Sequence, residues 1–153
     1  MRWPAGVSPW WPPKVLLSLG MIAWVAVSSA GIVGLRPVTP PPLAAGLVLL
    51  VAGAGIHLWH YAILKRAAGG LGMPSQLVTR GGFFPRVRHP MYLGDAVMTL
   101  GAVLAVMDVA AIAAWFAFAA ITIALARDED RMMEASFGDD FRAWKARSRL
   151  LGP

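Results

Sequence analysis

The sequence contains no cysteine, and this absence removes a whole class of chemistry. Without thiols the chain can form no disulfide, no cysteine-ligated metal site and no thiol nucleophile. Charge is also scarce, because Asp, Glu, Lys and Arg make up only 14% of the residues, against about 25% in soluble domains. These shortages argue against an ordinary soluble domain. They leave the hydrophobic residues, 58% of the chain, to determine the fold.

Two uncharged runs occupy most of the first half of the chain, Val15–Leu35 and Leu43–Leu64. Each reaches the roughly 20 residues that an α-helix needs to cross the hydrocarbon core of a bilayer. The first run could instead be a cleaved signal peptide, with "SSA" before Gly31 as the cleavage site, although it is long for that purpose. We predict two membrane spans here.

A third apolar region, Met91–Ala126, is interrupted only by Asp95 and Asp108. As a single helix it would be about 54 Å long, far more than the ~30 Å hydrocarbon core. We therefore expect the chain to fold back at Asp108. The prediction is a tight helical hairpin of Met91–Met107 and Val109–Ala126, whose short arms leave open whether it crosses the membrane fully.

The remaining segments are irregular or amphipathic. Residues 1–13 hold four prolines and three tryptophans and predict an irregular interfacial arm. A glycine-rich loop joins Lys65 to Pro90. After Arg127 the chain becomes charged, and Gly138 predicts a kink or a restart within that tail. Four apolar residues recur in the tail at spacings of four, four and three, and they predict an amphipathic helix along the membrane: Met133, Phe137, Phe141 and Trp144.

The predicted fold is therefore an all-α integral membrane protein with about four transmembrane helices. It forms a single membrane domain over residues 1–153, with the arm and two spans in 1–76 and the chemistry-bearing half in 77–153. If the N-terminus is cytoplasmic, every Lys and Arg except Arg36 lies on the cytoplasmic side. This bias follows the positive-inside rule and predicts both termini in the cytoplasm, in an inner or plasma membrane. Because the basic residues flank spans, the net charge of +6 does not indicate nucleic acid; the oligomeric state stays open.

Polar and aromatic residues are concentrated in the stretch "RGGFFPRVRHPMYLGD", which ends at Asp95. Pro90 suits the first turn of a helix, which places His89 at the cap. Tyr92 and Asp95 then lie one turn apart, and Gly94 permits close approach. A helix N-terminus carries a partial positive charge and free N–H groups, so the start of this helix could hold a carboxylate or ring nitrogens. The alternative is an interfacial anchor, with Arg for lipid phosphate and Tyr for the headgroup belt.

A second cluster, "RDEDRMMEASFGDDF", follows the last apolar run. Glu129 comes directly after that run, so we expect it at the same membrane face as His89, where an acid could pair with a ligand's ammonium group. The alternative is a solvated face on which acids balance Arg127 and Arg131. His57 and His60 share a helix face and could begin a metal site. Without a third ligand nearby, we favour interhelical hydrogen bonding or a polar pocket wall and predict no metal.

The two clusters together resemble the isoprenylcysteine carboxyl methyltransferase and phospholipid methyltransferase group of integral membrane enzymes. That group carries L-x-T-x-G-x-[FY]-x-x-x-R-H-P-x-Y-x-G, to which this chain corresponds with Leu77, Thr79, Gly81, Phe83, Arg88, His89, Pro90, Tyr92 and Gly94. The spacing before Arg88 is one residue longer, and Gly82–Phe84 offers the alternative register. The group's second motif, E-E-x-x-L-x-x-x-F-G-x-x-Y-x-x-Y, corresponds to Glu129, Asp130, Met133, Phe137, Gly138, Phe141 and Trp144. Asp130 replaces the second Glu, Met133 replaces Leu, and the two Tyr are Phe141 and Trp144. The resemblance covers about residues 77–150, and two motifs in order are more specific than either alone.

The resemblance implies S-adenosylmethionine as the methyl donor and a lipophilic or membrane-embedded acceptor at the cytoplasmic face. The acceptors it leaves open are a prenylcysteine carboxylate, a phospholipid amine and a small thiol. A carboxylate needs no base, whereas an amine or a thiol must lose a proton, which His89 or a nearby acid could take. The alternatives are a membrane reductase of the sterol-reductase type and a non-catalytic membrane protein. The residues implied as cofactor-binding are His89, Tyr92, Leu93, Gly94, Glu129 and Asp130, and those implied as catalytic are His89 and Arg88.

Overall fold

The computed structural model describes residues 8–29, 40–69 and 75–152. These residues form four α-helices, which are α1 (Trp11–Ser29), α2 (Pro40–Ala68), α3 (Pro90–Val106) and α4 (Val109–Arg147). The all-α fold predicted from the sequence is confirmed for this part of the chain. Residues 1–7 of the predicted arm, the end of the first predicted span and Arg36 lie outside it.

Three of the helices, α1, α2 and α4, are long and apolar enough to cross a membrane. The fourth, α3, is apolar but has only 17 residues, so its length of about 26 Å falls just short of a ~30 Å hydrocarbon core. Three helices are therefore long enough to cross the hydrocarbon core, and α3 is nearly long enough. The number of spans stays a prediction.

The first helix begins earlier than the sequence indicates. The prediction of an irregular arm over residues 1–13 is wrong for its last three residues, because α1 starts at Trp11. Pro12 and Pro13 occupy the first turn, where a helix needs no N–H donors from them. As a consequence Lys14, expected as a flanking charge at the membrane surface, is a helical residue and is buried.

In the described part of the chain, the closest helix packing joins α2 and α3 through glycines. A Cβ atom on Gly46 would lie 2.5 Å from the carbonyl oxygen of Gly101. A Cβ on Gly94 would lie 2.7 Å from the carbonyl oxygen of Gly53 and 2.7 Å from the amide nitrogen of His57. Small residues allow such backbone contact between apolar helices, where the hydrophobic effect supplies no attraction inside a bilayer. The tightest partner of α3 is thus α2, whereas the sequence predicts α4.

The chain turns between α3 and α4 at the position predicted from the sequence. Met107 adopts a left-handed conformation (φ 48°, ψ 41°), and its N–H donates to the carbonyl of Val103. The side chain of Asp108 caps α4 by accepting a hydrogen bond of 2.9 Å from the N–H of Ala111. The indole of Trp24 in α1 donates to the same carboxylate over 3.0 Å. Asp108 therefore caps α4 and also joins α1 to the turn.

This double role predicts a measurable loss of stability. Replacing Asp108 by Ala removes the cap of α4 and leaves the Trp24 indole without its acceptor, so we expect the free energy of unfolding to fall by about 0.5–2 kcal/mol. Asp108→Asn keeps an acceptor oxygen and serves as the matched control. Thermal unfolding of both variants in the same detergent measures the difference. Equal melting temperatures for wild type and Asp108→Ala would contradict the assignment.

The charged tail continues α4 and bends once. Gly138 has φ 52° and ψ −123°, which interrupts the helix at the predicted restart. On both sides of the bend the apolar stripe of the tail packs against Phe84 in the loop that precedes α3. The indole of Trp144 donates to the carbonyl of Phe84 over 2.9 Å. The stripe therefore covers the loop, and its orientation relative to a membrane stays a prediction.

Candidate active site

Two acids meet one histidine at the start of α3. His89 is the N-cap of α3, followed by Pro90 in the first turn. Nε2 of His89 lies 2.8 Å from Oδ1 of Asp130, and its Nδ1 lies 3.5 Å from Oε2 of Glu129. The loop motif and the acidic motif, which are about 40 residues apart in the chain, therefore form one site. A protonated His89 can donate to both carboxylates at once.

Tyr92 orients the carboxylate of Glu129. Its hydroxyl donates to Oε1 of Glu129 over 2.6 Å. Its ring stacks on that of His89 with centroids 5.5 Å apart and planes 4° apart. Tyr92 is buried with Leu125 and Ala126 of α4. One oxygen of Glu129 is thus oriented by Tyr92, while the side chain as a whole is still 27% exposed.

Asp130 has a different environment from Glu129. It is buried, and Nε of Arg88 donates to it at 3.0 and 3.3 Å. The same guanidinium donates through Nη1 to the carbonyl of Ser148 over 2.6 Å. Arg88 therefore braces Asp130 against the end of α4. Of the two acids, Glu129 is the one whose carboxylate a ligand can approach.

A short C-terminal strap, Arg149–Leu151, lies against the start of the site. Val87 and Arg149 form an isolated parallel bridge. The N–H of Arg88 donates to the carbonyl of Arg149 over 2.8 Å, and the N–H of His89 donates to that of Leu150 over 3.1 Å. The leucines of the strap pack on the cluster of Tyr92, Leu125 and Ala126. The strap could not be predicted from the sequence, because three residues carry no periodicity to detect.

The two acids also set the protonation of His89. Burial alone lowers the pKa of the imidazole, but the hydrogen bonds to Asp130 and Glu129 outweigh burial and raise the pKa above its ordinary value of 6.5. A raised folded-state pKa means that the protonated form is bound more tightly in the folded protein than in the unfolded chain. His89 therefore contributes stability that is fully present below pH 6.5 and is lost as the pH rises through its folded-state pKa.

A pH series tests this linkage. We expect the melting temperature of the wild-type protein in detergent to fall as the pH is raised above 6.5. We expect a flatter dependence for His89→Gln, because glutamine does not titrate. Thermal unfolding of both proteins at matched ionic strength gives the two curves. Parallel curves would mean that the ring is not held protonated by the two acids.

His60 organises the loop that leads into this site. Its Nδ1 lies 2.7 Å from the carbonyl of Ile56, and its Nε2 accepts a hydrogen bond of 2.8 Å from the N–H of Phe83. One nitrogen therefore donates and the other accepts, which requires a neutral ring. Gly82, at φ 51°, lies so close to the ring that a Cβ atom there would collide with Nε2. The histidine thus fixes the turn that delivers Arg88 and His89 to the site.

His57 belongs to a second polar cluster, together with Lys14 and Asp95. Nζ of Lys14 donates to Oδ2 of Asp95 over 2.5 Å, and Nδ1 of His57 lies 2.6 Å from Oδ1 of the same carboxylate. The interhelical hydrogen bond predicted for these histidines is confirmed for His57, which contacts Asp95 of α3, whereas His60 bonds within α2 and to the loop before α3. Sequence reasoning missed Lys14, although an isolated acid in an apolar run is a signal that a buried cation lies nearby. Within residues 8–29, 40–69 and 75–152, no group of three His, Cys, Asp or Glu side chains is arranged to hold a metal ion.

The segment that builds the site is also the segment that carries the family signature. A model of the phospholipid methyltransferase family matches residues 42–140. The chain belongs to this family. The match covers α2 from Pro42 onward, α3, and α4 as far as Asp140, and so includes the loop motif and both acids. It leaves out Lys14 and the C-terminal strap. No curated protein and no solved structure shows significant similarity to the chain.

Membership of the phospholipid methyltransferase family confirms the resemblance inferred from the two motifs. It indicates methyl transfer on a membrane substrate, in keeping with three helices long enough to cross a bilayer. The structure brings together His89, Tyr92, Glu129 and Asp130, and it places Gly94 against α2. Leu93 is half-buried beside them.

Proposed function

We propose that the protein is an integral membrane methyltransferase that binds S-adenosylmethionine at the start of α3 and acts on a lipophilic acceptor. The observation that carries the proposal is the carboxylate of Glu129. It is oriented by Tyr92 over 2.6 Å, faces Nδ1 of His89, and lies inside the segment matched by the family. This arrangement offers an oriented, accessible negative charge at the mouth of an otherwise apolar bundle.

The residues present fit the donor by their chemistry. Glu129 supplies a carboxylate for an ammonium group, and its 27% exposure leaves it accessible. The N-terminus of α3 supplies a partial positive charge for a carboxylate or for ring nitrogens. His89, Tyr92, Leu93 and Gly94 form this mouth. Bound there, S-adenosylmethionine supplies an electrophilic methyl group carried on a sulfonium.

The two acids have separate roles in this proposal. Glu129 contacts the ligand, whereas buried Asp130 acts through His89 and Arg88, to which it is bonded at 2.8 and 3.0 Å. Arg88 is then a positioning residue, since it holds Asp130 and the end of α4. His89 remains the residue proposed to line the donor site directly. The strap shields this polar network from water, which strengthens each electrostatic interaction within it.

We further propose that the site lies at the cytoplasmic face of an inner or plasma membrane, with four crossings and both termini inside. The support is the distribution of Lys and Arg around the helices: apart from Lys14, which is buried in α1, all of them fall on the proposed cytoplasmic side except Arg36. A reporter enzyme that is active only in the cytoplasm, fused after Pro153, should be active. A reporter fused in the loop that contains Arg36 should be silent, and the reverse pattern would overturn the orientation.

Ligand binding separates this proposal from its alternatives. Purified protein in detergent is titrated calorimetrically with S-adenosylmethionine, with S-adenosylhomocysteine and with NADPH. We expect the first two to bind and the third not to bind. Transfer of a labelled methyl group to lipid-extractable material should follow when acceptors are added. Binding of NADPH alone would favour a reductase, and binding of none of the three would favour a non-catalytic protein.

A further inference from the structure

Three ionisable side chains from three helices meet where the surrounding sequence is apolar. Lys14 in α1 and His57 in α2 both contact Asp95 in α3, at 2.5 and 2.6 Å. Lys14 and Asp95 are almost fully buried, with 8% and 13% of their side chains exposed. Ionisable residues in apolar helices are expensive and usually mark a functional site. We refer to these three residues as the Lys14–Asp95–His57 centre.

The centre is directly connected to the proposed donor site. Nζ of Lys14 lies 4.0 Å from the centroid of the Tyr92 ring, and the hydroxyl of that ring is bonded to Glu129. Asp95 follows Tyr92 by one helical turn. Gly94, which belongs to the α3 mouth, contacts the backbone of His57 so closely that no Cβ would fit between them. A molecule bound at the centre would therefore adjoin the donor.

His57 is the part of the centre that can react. Its Nδ1 faces a carboxylate and so carries the proton, which leaves the lone pair of the neutral ring on Nε2. The side chain is 32% exposed, unlike Lys14 and Asp95.

We propose that the Lys14–Asp95–His57 centre receives the methyl acceptor, that the acceptor is a thiol on an apolar molecule, and that Nε2 of His57 takes the thiol proton. The inference rests on the proposed function. The acceptor sulfur forms the new bond to the methyl carbon, and the carbon–sulfur bond of the donor breaks with its electron pair going to the donor sulfur. The acceptor proton goes to His57 and then to water.

Charge distinguishes a thiol from the other two acceptor classes. Lys14 and Asp95 cancel, so the centre is neutral before the acceptor arrives. An ammonium would bring a second positive charge beside Lys14 into a site of low dielectric, where an unpaired charge is costly. A carboxylate would bring a second negative charge beside Asp95 and has no proton for His57 to take. A thiol enters neutral, and its developing negative charge is paired with the imidazolium.

Lys14 lies outside the segment that the family model matches. The family match therefore does not supply this residue, and the acceptor preference inferred from it is a property of this chain. A phospholipid amine, one of the acceptors that the resemblance leaves open, would enter the site as an ammonium. The test must set the two acceptor classes against each other directly.

Three acceptors with the same alkyl chain make the comparison: dodecane-1-thiol, dodecylamine and dodecanoate. The full-length protein in detergent is supplied with methyl-labelled S-adenosylmethionine and each acceptor in turn. We expect transfer to the thiol to exceed transfer to the amine and to the carboxylate by at least roughly tenfold. A preference for dodecylamine or dodecanoate would overturn the inference while leaving the proposed function in place.

His57→Gln tests the proton acceptor. General-base catalysis contributes roughly 10²–10⁴-fold, so we expect turnover with the thiol to fall at least ~100-fold near neutral pH, with donor affinity unchanged by calorimetry. The defect should shrink as the pH rises, because the thiol then ionises without help. His60→Gln is the matched control, since that ring only organises the loop. It should lower the melting temperature without changing the shape of the pH profile.

A spectroscopic readout separates a reactive ring from a structural one. The chain has only three histidines, so ¹⁵N spectra of histidine-labelled protein resolve each ring, and the His57→Gln spectrum assigns one of them. We expect His57 to be protonated on Nδ1 and unprotonated on Nε2 in the active pH range. A doubly protonated ring, or wild-type turnover in His57→Gln, would overturn the inference. Failure of the protein to bind S-adenosylmethionine at all would overturn the proposed function as well.

Discussion

Replacing Glu129 by Gln should weaken binding of S-adenosylmethionine roughly ten- to more than a hundredfold. The change removes a charge-assisted hydrogen bond to the ligand's ammonium, and such a bond contributes about 1.5–3 kcal/mol, where about 1.4 kcal/mol is tenfold in affinity. The fold should survive, because the amide oxygen of Gln can still accept from Tyr92 and the side chain is not fully buried. Calorimetric titration in detergent, with melting curves of both proteins, measures the effect.

Glu134→Gln is the matched control for this variant. Glu134 lies further along α4, paired with Lys145 at 3.1 Å and Arg142 at 3.7 Å on an exposed face. Such surface pairs contribute only about 0–1 kcal/mol, so donor affinity and stability should both stay near wild type. Asp130→Asn should lower stability more than Glu129→Gln does and donor affinity less, because it leaves buried Arg88 without its counterion. Unchanged affinity in Glu129→Gln would place the donor elsewhere.

The second large effect concerns the contact between α2 and α3. A Cβ atom on Gly53 would collide with the amide nitrogen of Met98 and lie 2.6 Å from the carbonyl oxygen of Gly94. Backbone atoms cannot rotate away, so Gly53→Ala must push the helices apart. Overpacking of this kind lowers the free energy of unfolding by about 1–3 kcal/mol. We also expect weaker donor binding, because Gly94 belongs to the mouth of the site.

Gly55→Ala provides the control in the same helix. A Cβ atom at Gly55 would meet nothing within 4 Å. Since alanine is the better helix former by about 0.8–1 kcal/mol, this variant should be as stable as wild type or slightly more stable. Chemical unfolding of the two variants in one detergent compares them. If Gly53→Ala unfolds like Gly55→Ala, then the backbones of the two helices do not touch as described.

Much of the fold could be predicted from the lengths of the apolar runs in the sequence. Apolar runs of sufficient length predict helices whatever their partners are, and Asp108 and Gly138 mark interruptions that each helix must accommodate. The loop motif and the acidic motif were both expected at one face of the membrane. Proximity of His89 and Glu129 could therefore be predicted without knowing how the helices pack.

The partners of the helices could not be predicted in the same way. Helices that are apolar on all sides have no single face that identifies a neighbour, so the preference of α3 for α2 depends on glycines that recur at matching heights in both. Burial of Lys14 was missed because a basic residue before an apolar run ordinarily marks the membrane surface. Lys14 is buried because it forms an ion pair with Asp95 of α3, and this contact is visible only in the folded structure.

The glycine contact between α2 and α3 also bears on how far this protein's relatives can diverge. A contact made by backbone atoms constrains the glycines themselves and very little else on either helix. Leu47, Val48 and Val51 are half or more exposed on the outer side of α2, so one apolar residue there can replace another without moving α3. Relatives can therefore differ at most positions of both helices and still hold His57 beside Gly94 at the same spacing.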